Sequence, residues 1–172
     1  MQQHPFVPQA LTETNGPYAI LTKVFTFEAA HFLPNHTGKC ARLHGHTYRL
    51  EVSIRGAIRH QPGHSLDGMV WDFGDLKALC QQTVLDHLSD ALLAALPPQS
   101  RYTTGGLDHN VLNEIVPMRP TAEHLVHWLW DAFVQTGLPD ACLYRLRLWE
   151  TPTSCVEITH AERLKTADEG DA

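Results

Sequence analysis

The chain has 172 residues, with 13 Lys and Arg against 19 Asp and Glu, for a net charge of −6. That length fits one domain able to fold without disulfide or metal staples, and the acidic balance excludes a general nucleic-acid binder, which would be basic. No basic, apolar leader opens the chain, nowhere do eighteen apolar residues run together, and Cys40, Cys80, Cys142 and Cys155 lack Cys-x-x-Cys spacing, so a cytoplasmic, non-membrane protein with reduced thiols is expected.

Residues 1–18 are polar and turn-rich and are expected to be disordered. From Leu21 to His31 the sequence alternates, with Phe25, Phe27, Ala29 and His31 sharing a face; Pro34-Asn35-His36-Thr37-Gly38 then has turn composition. Alternation resumes at His44, placing His46, Tyr48, Leu50, Val52 and Ile54 on the same side, the period of a half-buried strand. A hairpin of these two strands sets His31 opposite the His44/His46 pair. Three neutral imidazoles around one vacant position suit a catalytic zinc, which polarises a substrate oxygen or acidifies bound water. The missing carboxylate favours zinc over oxygenase iron. Cys40, four residues before His44, has two readings: a fourth ligand that would make the zinc structural, or a thiolate base stabilised by Lys39 and Arg42.

Further along, Pro62-Gly63 marks a turn, Met69-Val70-Trp71 a short extended piece, and Asp72 an N-cap for a helix from about Gly74 to Leu96, stopped by Pro97-Pro98. Leu76, Leu79, Cys80, Leu88, Leu92 and Ala95 mark its buried side. In a second helix, Ala122, Leu125, Val126, Leu129, Trp130, Phe133 and Val134 follow the helical repeat, Glu123 suits the positive end and Gly137 the exit. His124 and His127 are read as solvated, because no other ligand type is spaced to join them. Cys142, Tyr144, Leu146, Leu148 and Glu150 then alternate, and Cys155 to Thr159 forms the last strand. Glu150 ends an otherwise apolar face, where a carboxylate needs either a partner or water. These elements predict an α+β fold of order ββααββ, a four-stranded antiparallel sheet covered on one face by two helices, in a single domain over residues 19–160. Residues 161–172 are charged and expected to be disordered.

Several runs together resemble the 6-pyruvoyl-tetrahydropterin synthase family: FEAAHFLP from Phe27, Cys40-Ala41-Arg42-Leu43-His44-Gly45-His46, VWDFGDLK from Val70, LDHNVLNE from Leu107, RPTAEHLVHWLW from Arg119 and LWETPTSCVE from Leu148. The three-residue gap between Cys40 and His44 resembles the family's bacterial queuosine-pathway branch. The resemblance covers roughly residues 20–160 and implies the tunnelling fold, in which subunits join edge to edge into an oligomeric β-barrel, here a homohexamer built as a dimer of trimers. It further implies an Asp-His proton relay working with the catalytic Cys40. Leu-Asp-His occurs twice, at residues 85–87 and 107–109; the second continues into Asn110-Val111-Leu112-Asn113-Glu114 and is therefore assigned the relay, Asp108 and His109. That assignment leaves an insertion, Leu88 to Gly106, whose role the sequence does not give. The resemblance also implies that Glu150 anchors a pterin ring, with Thr121 assisting.

The activity implied is a zinc-dependent lyase acting on 7,8-dihydroneopterin triphosphate to give 6-carboxy-5,6,7,8-tetrahydropterin, acetaldehyde and triphosphate. Zinc on His31, His44 and His46 would acidify the substrate side chain, while Cys40 and the Asp108-His109 pair move protons on its two sides. Lys39 and Arg42 are candidates for meeting the triphosphate charge. The alternatives are a 6-pyruvoyl product or another pterin side-chain cleavage from the same residues, and a non-catalytic zinc protein in which Cys40 completes the coordination.

Overall fold

The computed structural model describes residues 16–94 and 105–168. The two long strands β1 (Tyr18–His31) and β2 (His44–Ala57) form one antiparallel hairpin in unbroken register, with Phe27 opposite Tyr48, Ala29 opposite His46 and His31 opposite His44. Helix α1 (Phe73–Cys80) follows, with Asp72 as its N-cap: its carboxylate accepts from the Gly74 and Asp75 amides at 2.6 and 3.3 Å. After α2 (Asp90–Ala94), β3 (Asn110–Val111) and the single turn α3 (Leu112–Ile115) come α4 (Ala122–Gln135), β4 (Leu143–Thr151), β5 (Ser154–Thr159) and α5 (His160–Asp168).

The sheet has five strands in the order β3-β1-β2-β4-β5. This corrects the four-stranded, wholly antiparallel expectation: β3 is two residues long and runs parallel to β1, a bridge too short to leave a trace in the sequence pattern. Alternate side chains Phe25, Phe27, Tyr48, Leu50, Val52, Ile54, Leu146 and Leu148 point to the helical side, where they meet Leu76, Leu125, Leu129, Trp130 and Phe133 in one buried core. The opposite face carries a charged lattice. Glu51 lies 2.6 Å from Arg49 and 3.7 Å from Arg147 and accepts from the Trp149 indole at 3.2 Å, while Arg147 donates to Glu157 at 2.7 Å.

The expected long helix over residues 74–96 is broken. α1 loosens into a π-turn at Gln81–Leu85, where the Asp86 amide reaches back to the Gln81 carbonyl, and α2 starts afresh with Ser89 as its cap. The cause lies in the returning chain. Leu107 and Asp108 donate their amides to the Val84 and Leu85 carbonyls at 3.1 and 3.0 Å, and Leu88 donates to Gly105, so the helix gives up the acceptors it would need to continue. Gly106 permits this approach, since a Cβ there would stand 2.0 Å from the Leu85 carbonyl oxygen. Ala95 and most of the unassigned insertion lie outside the described residues.

The N-terminal expectation for residues 1–15 also falls outside them, and β1 starts at Tyr18, earlier than the pattern suggested. Where charge composition predicted a loose tail, α5 forms and docks on α4, with Arg163 contacting Asp131 and His127, and His160 lying 3.4 Å from Asp140.

Candidate functional site

At the open end of the hairpin, the strand pairing presents His31, His44 and His46 to one point. Their ring centroids lie 4.6, 4.9 and 5.1 Å apart, and one ligand nitrogen from each falls within 4.8 Å of the others. Two rings are fixed by carbonyls: His31 Nδ1 donates to Pro120 O, and His44 Nδ1 to Arg42 O, each at 2.7 Å. That leaves the Nε2 lone pairs outward. His31 Nε2 and His46 Nε2 are buried and have no hydrogen-bond partner. A buried acceptor without a donor is costly, and a divalent cation satisfies all three at once, so the donor set fits a metal. Burial lowers the His46 pKa, with the Glu150 charge opposing and the neighbouring imidazoles assisting, which keeps the ring in the form that coordinates.

Tyr48 lies beneath His46, its ring 5.5 Å away, and is fully buried; burial and then the nearby Glu150 charge raise its pKa well above the ordinary phenol value. The tyrosine therefore remains neutral. Its place beneath the trio follows from its position two residues after His46 on the same strand face.

Glu150 sits where β4 passes the trio, with Oε1 3.6 Å from His31 Nε2. Its carboxylate borders two cavities. One, of about 620 Å³, opens toward the charged face and includes His46, Thr47, Arg49 and Trp149. The other, of about 450 Å³, opens toward α4 and includes His36, Arg119, Thr121, Glu123 and Cys155. Both are of ligand size. The Thr121 hydroxyl caps α4 by accepting from the His124 amide at 3.4 Å while facing the second cavity.

Cys40 sits in a 3-10 turn (Lys39–Ala41), partly exposed, and its carbonyl accepts from the Leu33 amide at 2.8 Å. Among the described residues the metal-competent cluster comprises the three histidines and does not include Cys40. All four cysteines are unpaired, as their spacing predicted, and Cys155 faces Trp149 rather than Cys142.

Asp108 and His109 lie along the β1 edge. The Glu28 amide donates to Asp108 Oδ1 at 2.7 Å, the His109 amide donates to Glu28 O at 2.6 Å, and His109 takes a left-handed φ of 58°. Asp108 Oδ2 is 3.7 Å from His109 Nε2, an ion-pair distance too long for a hydrogen bond, and the His109 side chain is 79% exposed. The pair is thus adjacent, but the aspartate is also engaged by a backbone amide. The competing copy, Asp86 and His87, projects into solvent from the end of the π-turn. His124 and His127 take no part in the metal cluster: the first binds the Arg119 carbonyl and the second contacts Arg163.

No helix among the described residues is long and apolar enough to cross a membrane. The family model of 6-pyruvoyl tetrahydropterin synthase matches residues 20–161. A Haemophilus influenzae protein named 6-carboxy-5,6,7,8-tetrahydropterin synthase is 34% identical over 139 residues, spanning 80% of this chain and 96% of that protein. A Synechocystis protein of the same name is 36% identical over 136 residues, spanning 78% and 88%. The fold is shared with the Caenorhabditis elegans 6-pyruvoyl tetrahydropterin synthase, at a TM-score of 0.59 and 22% identity over 84% of this chain and 96% of that one. With a family match over most of its length and relatives above 30% identity along most of theirs, the chain is an enzyme belonging to the 6-pyruvoyl tetrahydropterin synthase family of lyases.

Proposed function

We propose that this enzyme converts 7,8-dihydroneopterin triphosphate and one water to 6-carboxy-5,6,7,8-tetrahydropterin, acetaldehyde and triphosphate, in the supply of 7-deazapurine and queuosine precursors. The observation that carries the reading is the meeting of three imidazoles, two with buried unclaimed Nε2 atoms, and the Glu150 carboxylate at one cleft. The names of the two relatives supply the product, a 6-carboxy tetrahydropterin.

His31, His44 and His46 would hold one zinc ion through nitrogen. Zinc bound there supplies Lewis acidity to the side-chain hydroxyls of the substrate and makes the adjacent C–H acidic. Glu150 accepts two parallel donors, the pterin amino group and ring N–H, in a charge-assisted pair. Thr121, at the positive end of α4, borders the same cavity and assists that recognition. The Cys40 thiol moves a proton on one side of the substrate side chain, with Lys39 and Arg42 adding positive charge near the triphosphate. His109 serves the other side: Asp108 steadies its Nε2 edge, and Nδ1 is left to exchange protons.

Assembly into a homohexamer in the cytoplasm belongs to the same proposal. Among the described residues, the outer edge of β1 is paired from Glu28 onward, so its earlier half offers amides and carbonyls to another copy. Incubation of the purified zinc-loaded protein with dihydroneopterin triphosphate, with products identified by mass, tests the reading. Acetaldehyde with the carboxy product supports it; a pyruvoyl product without acetaldehyde assigns the sister reaction instead. Cys40→Ala tests the non-catalytic alternative: retained zinc with lost turnover supports the enzyme, whereas loss of both zinc and fold supports a structural site.

A further inference from the structure

We infer that Asn113 is a positioning residue for the metal centre, an inference that rests on the reading of His31, His44 and His46 as metal ligands. Its side-chain amide grips both peptide groups of Phe32, the residue after His31: Oδ1 accepts from the Phe32 amide at 2.9 Å and Nδ2 donates to the Phe32 carbonyl at 2.8 Å. This two-point pattern fixes the orientation of the amide, since only one assignment of its oxygen and nitrogen satisfies both contacts.

The chain geometry shows why a side chain is needed there. Residues 108–113 run along the β1 edge and satisfy it stepwise. Asp108 Oδ1 takes the Glu28 amide, the His109 amide takes the Glu28 carbonyl, and Asn110 and Val111 pair with Ala29 and Ala30. At Leu112 the backbone turns into α3 and leaves the edge, one residue short of His31. Asn113 then supplies from its side chain the donor and acceptor that the departed backbone no longer offers, extending the ladder past the ligand. His31 is thereby held between a backbone bridge at Ala30 and an amide clamp at Phe32.

Two consequences converge on the metal site. Asn113 opens the segment that leads through α3 to Pro120, whose carbonyl binds His31 Nδ1 and sets which nitrogen faces the cleft. On the other side of the clamp, the Leu33 amide holds the Cys40 carbonyl, so the Cys40 turn hangs from the residue next to the one Asn113 grips. One amide therefore aligns a ligand, its tautomer-setting carbonyl and the loop carrying the thiol.

The test compares zinc affinity, by competition with a chromophoric chelator, in the parent, Asn113→Ala and Asn113→Asp. Aspartate keeps the shape and the acceptor but sets an oxygen against the Phe32 carbonyl, which guards against an alanine variant that does not fold. Removal of an outer partner of a metal ligand weakens binding by about 10–100-fold. Both variants are expected to lose zinc affinity in that range while still folded at the assay temperature, with a lowered metal-free melting temperature and the hydrogen-bonded His31 ring N–H proton resonance lost or shifted. Zinc affinity within twofold of the parent in a folded variant overturns the inference while leaving the metal reading intact. A parent that binds no zinc, or binds it as well after His46→Ala, overturns the metal reading itself.

Discussion

Three imidazoles converge usefully only if each presents the correct nitrogen, and here that choice is made by backbone carbonyls at Pro120 and Arg42. His46→Ala removes one of three nitrogens and is expected to lower zinc occupancy by orders of magnitude, read by metal analysis after dialysis. For the relay, His109→Gln is expected to lower turnover about 10²- to 10⁴-fold, the usual yield of one proton-transfer group. His87→Gln leaves turnover within twofold. Equal losses in both, or in neither, would remove the assignment to the second Leu-Asp-His. The three histidines were legible because a strand has a fixed period of two and a hairpin sets its partners face to face. The Pro120 carbonyl was not, because it comes from 89 residues away and any residue type offers a carbonyl. Nor was the capture of Asp108 by the Glu28 amide, which depends on where the returning chain meets the edge of β1.

At the scale of elements, the break after α1 is built into the fold that delivers Asp108 and His109. Gly106 lies against the Leu85 carbonyl, and Gly106→Ala must push the returning chain off the π-turn. Overpacking costs about 1–3 kcal/mol where side chains can give, and a backbone carbonyl gives less. Thermal denaturation of that variant should show a loss at or above this range together with reduced turnover; a wild-type melting curve would contradict the close packing. A period of 3.6 reads continuously through residues 74–96, which is why the sequence suggested one helix. The competition for the Val84 and Leu85 carbonyls is tertiary and leaves no mark in the periodicity.

The α4–α5 clasp has its own pH dependence. Burial and then Arg163 lower the His127 pKa below 6.5, with Asp131 opposing. The unfolded chain therefore binds this proton more readily than the folded one, and stability falls as pH drops through about 6.5 toward the lower folded value. His127→Gln is expected to shrink the fall in melting temperature between pH 7.5 and pH 5.5. An unchanged fall would place the acid sensitivity elsewhere. The clasp was missed because charge composition alone marked residues 161–172 as loose, whereas Arg163 finds Asp131 on a helix already packed.

For the whole molecule, the β1–β2 and β4–β5 hairpins, the α4 helix and most of the core were readable from alternation and helical repeat. The five-stranded sheet was not, since β3 contributes two residues. Tyr18, Ile20 and Val24 are 48%, 49% and 44% exposed along the part of β1 that has no outer strand among the described residues. Such an edge is a template for another copy. Sedimentation is expected to show an oligomer for the parent and single chains for Ile20→Asp/Val24→Asp, with the far-ultraviolet dichroism retained. A monomeric parent would remove the barrel from the account.

The central claim is that three histidine nitrogens hold one divalent cation while the Cys40 sulfur stays unbound. X-ray absorption at the zinc edge of the loaded protein measures this directly, because zinc–nitrogen and zinc–sulfur distances differ, at about 2.0–2.1 and about 2.3 Å. The account predicts a shell of nitrogen and oxygen scatterers only, lost after His46→Ala and unchanged after Cys40→Ala. A sulfur shell that disappears with Cys40→Ala would contradict it.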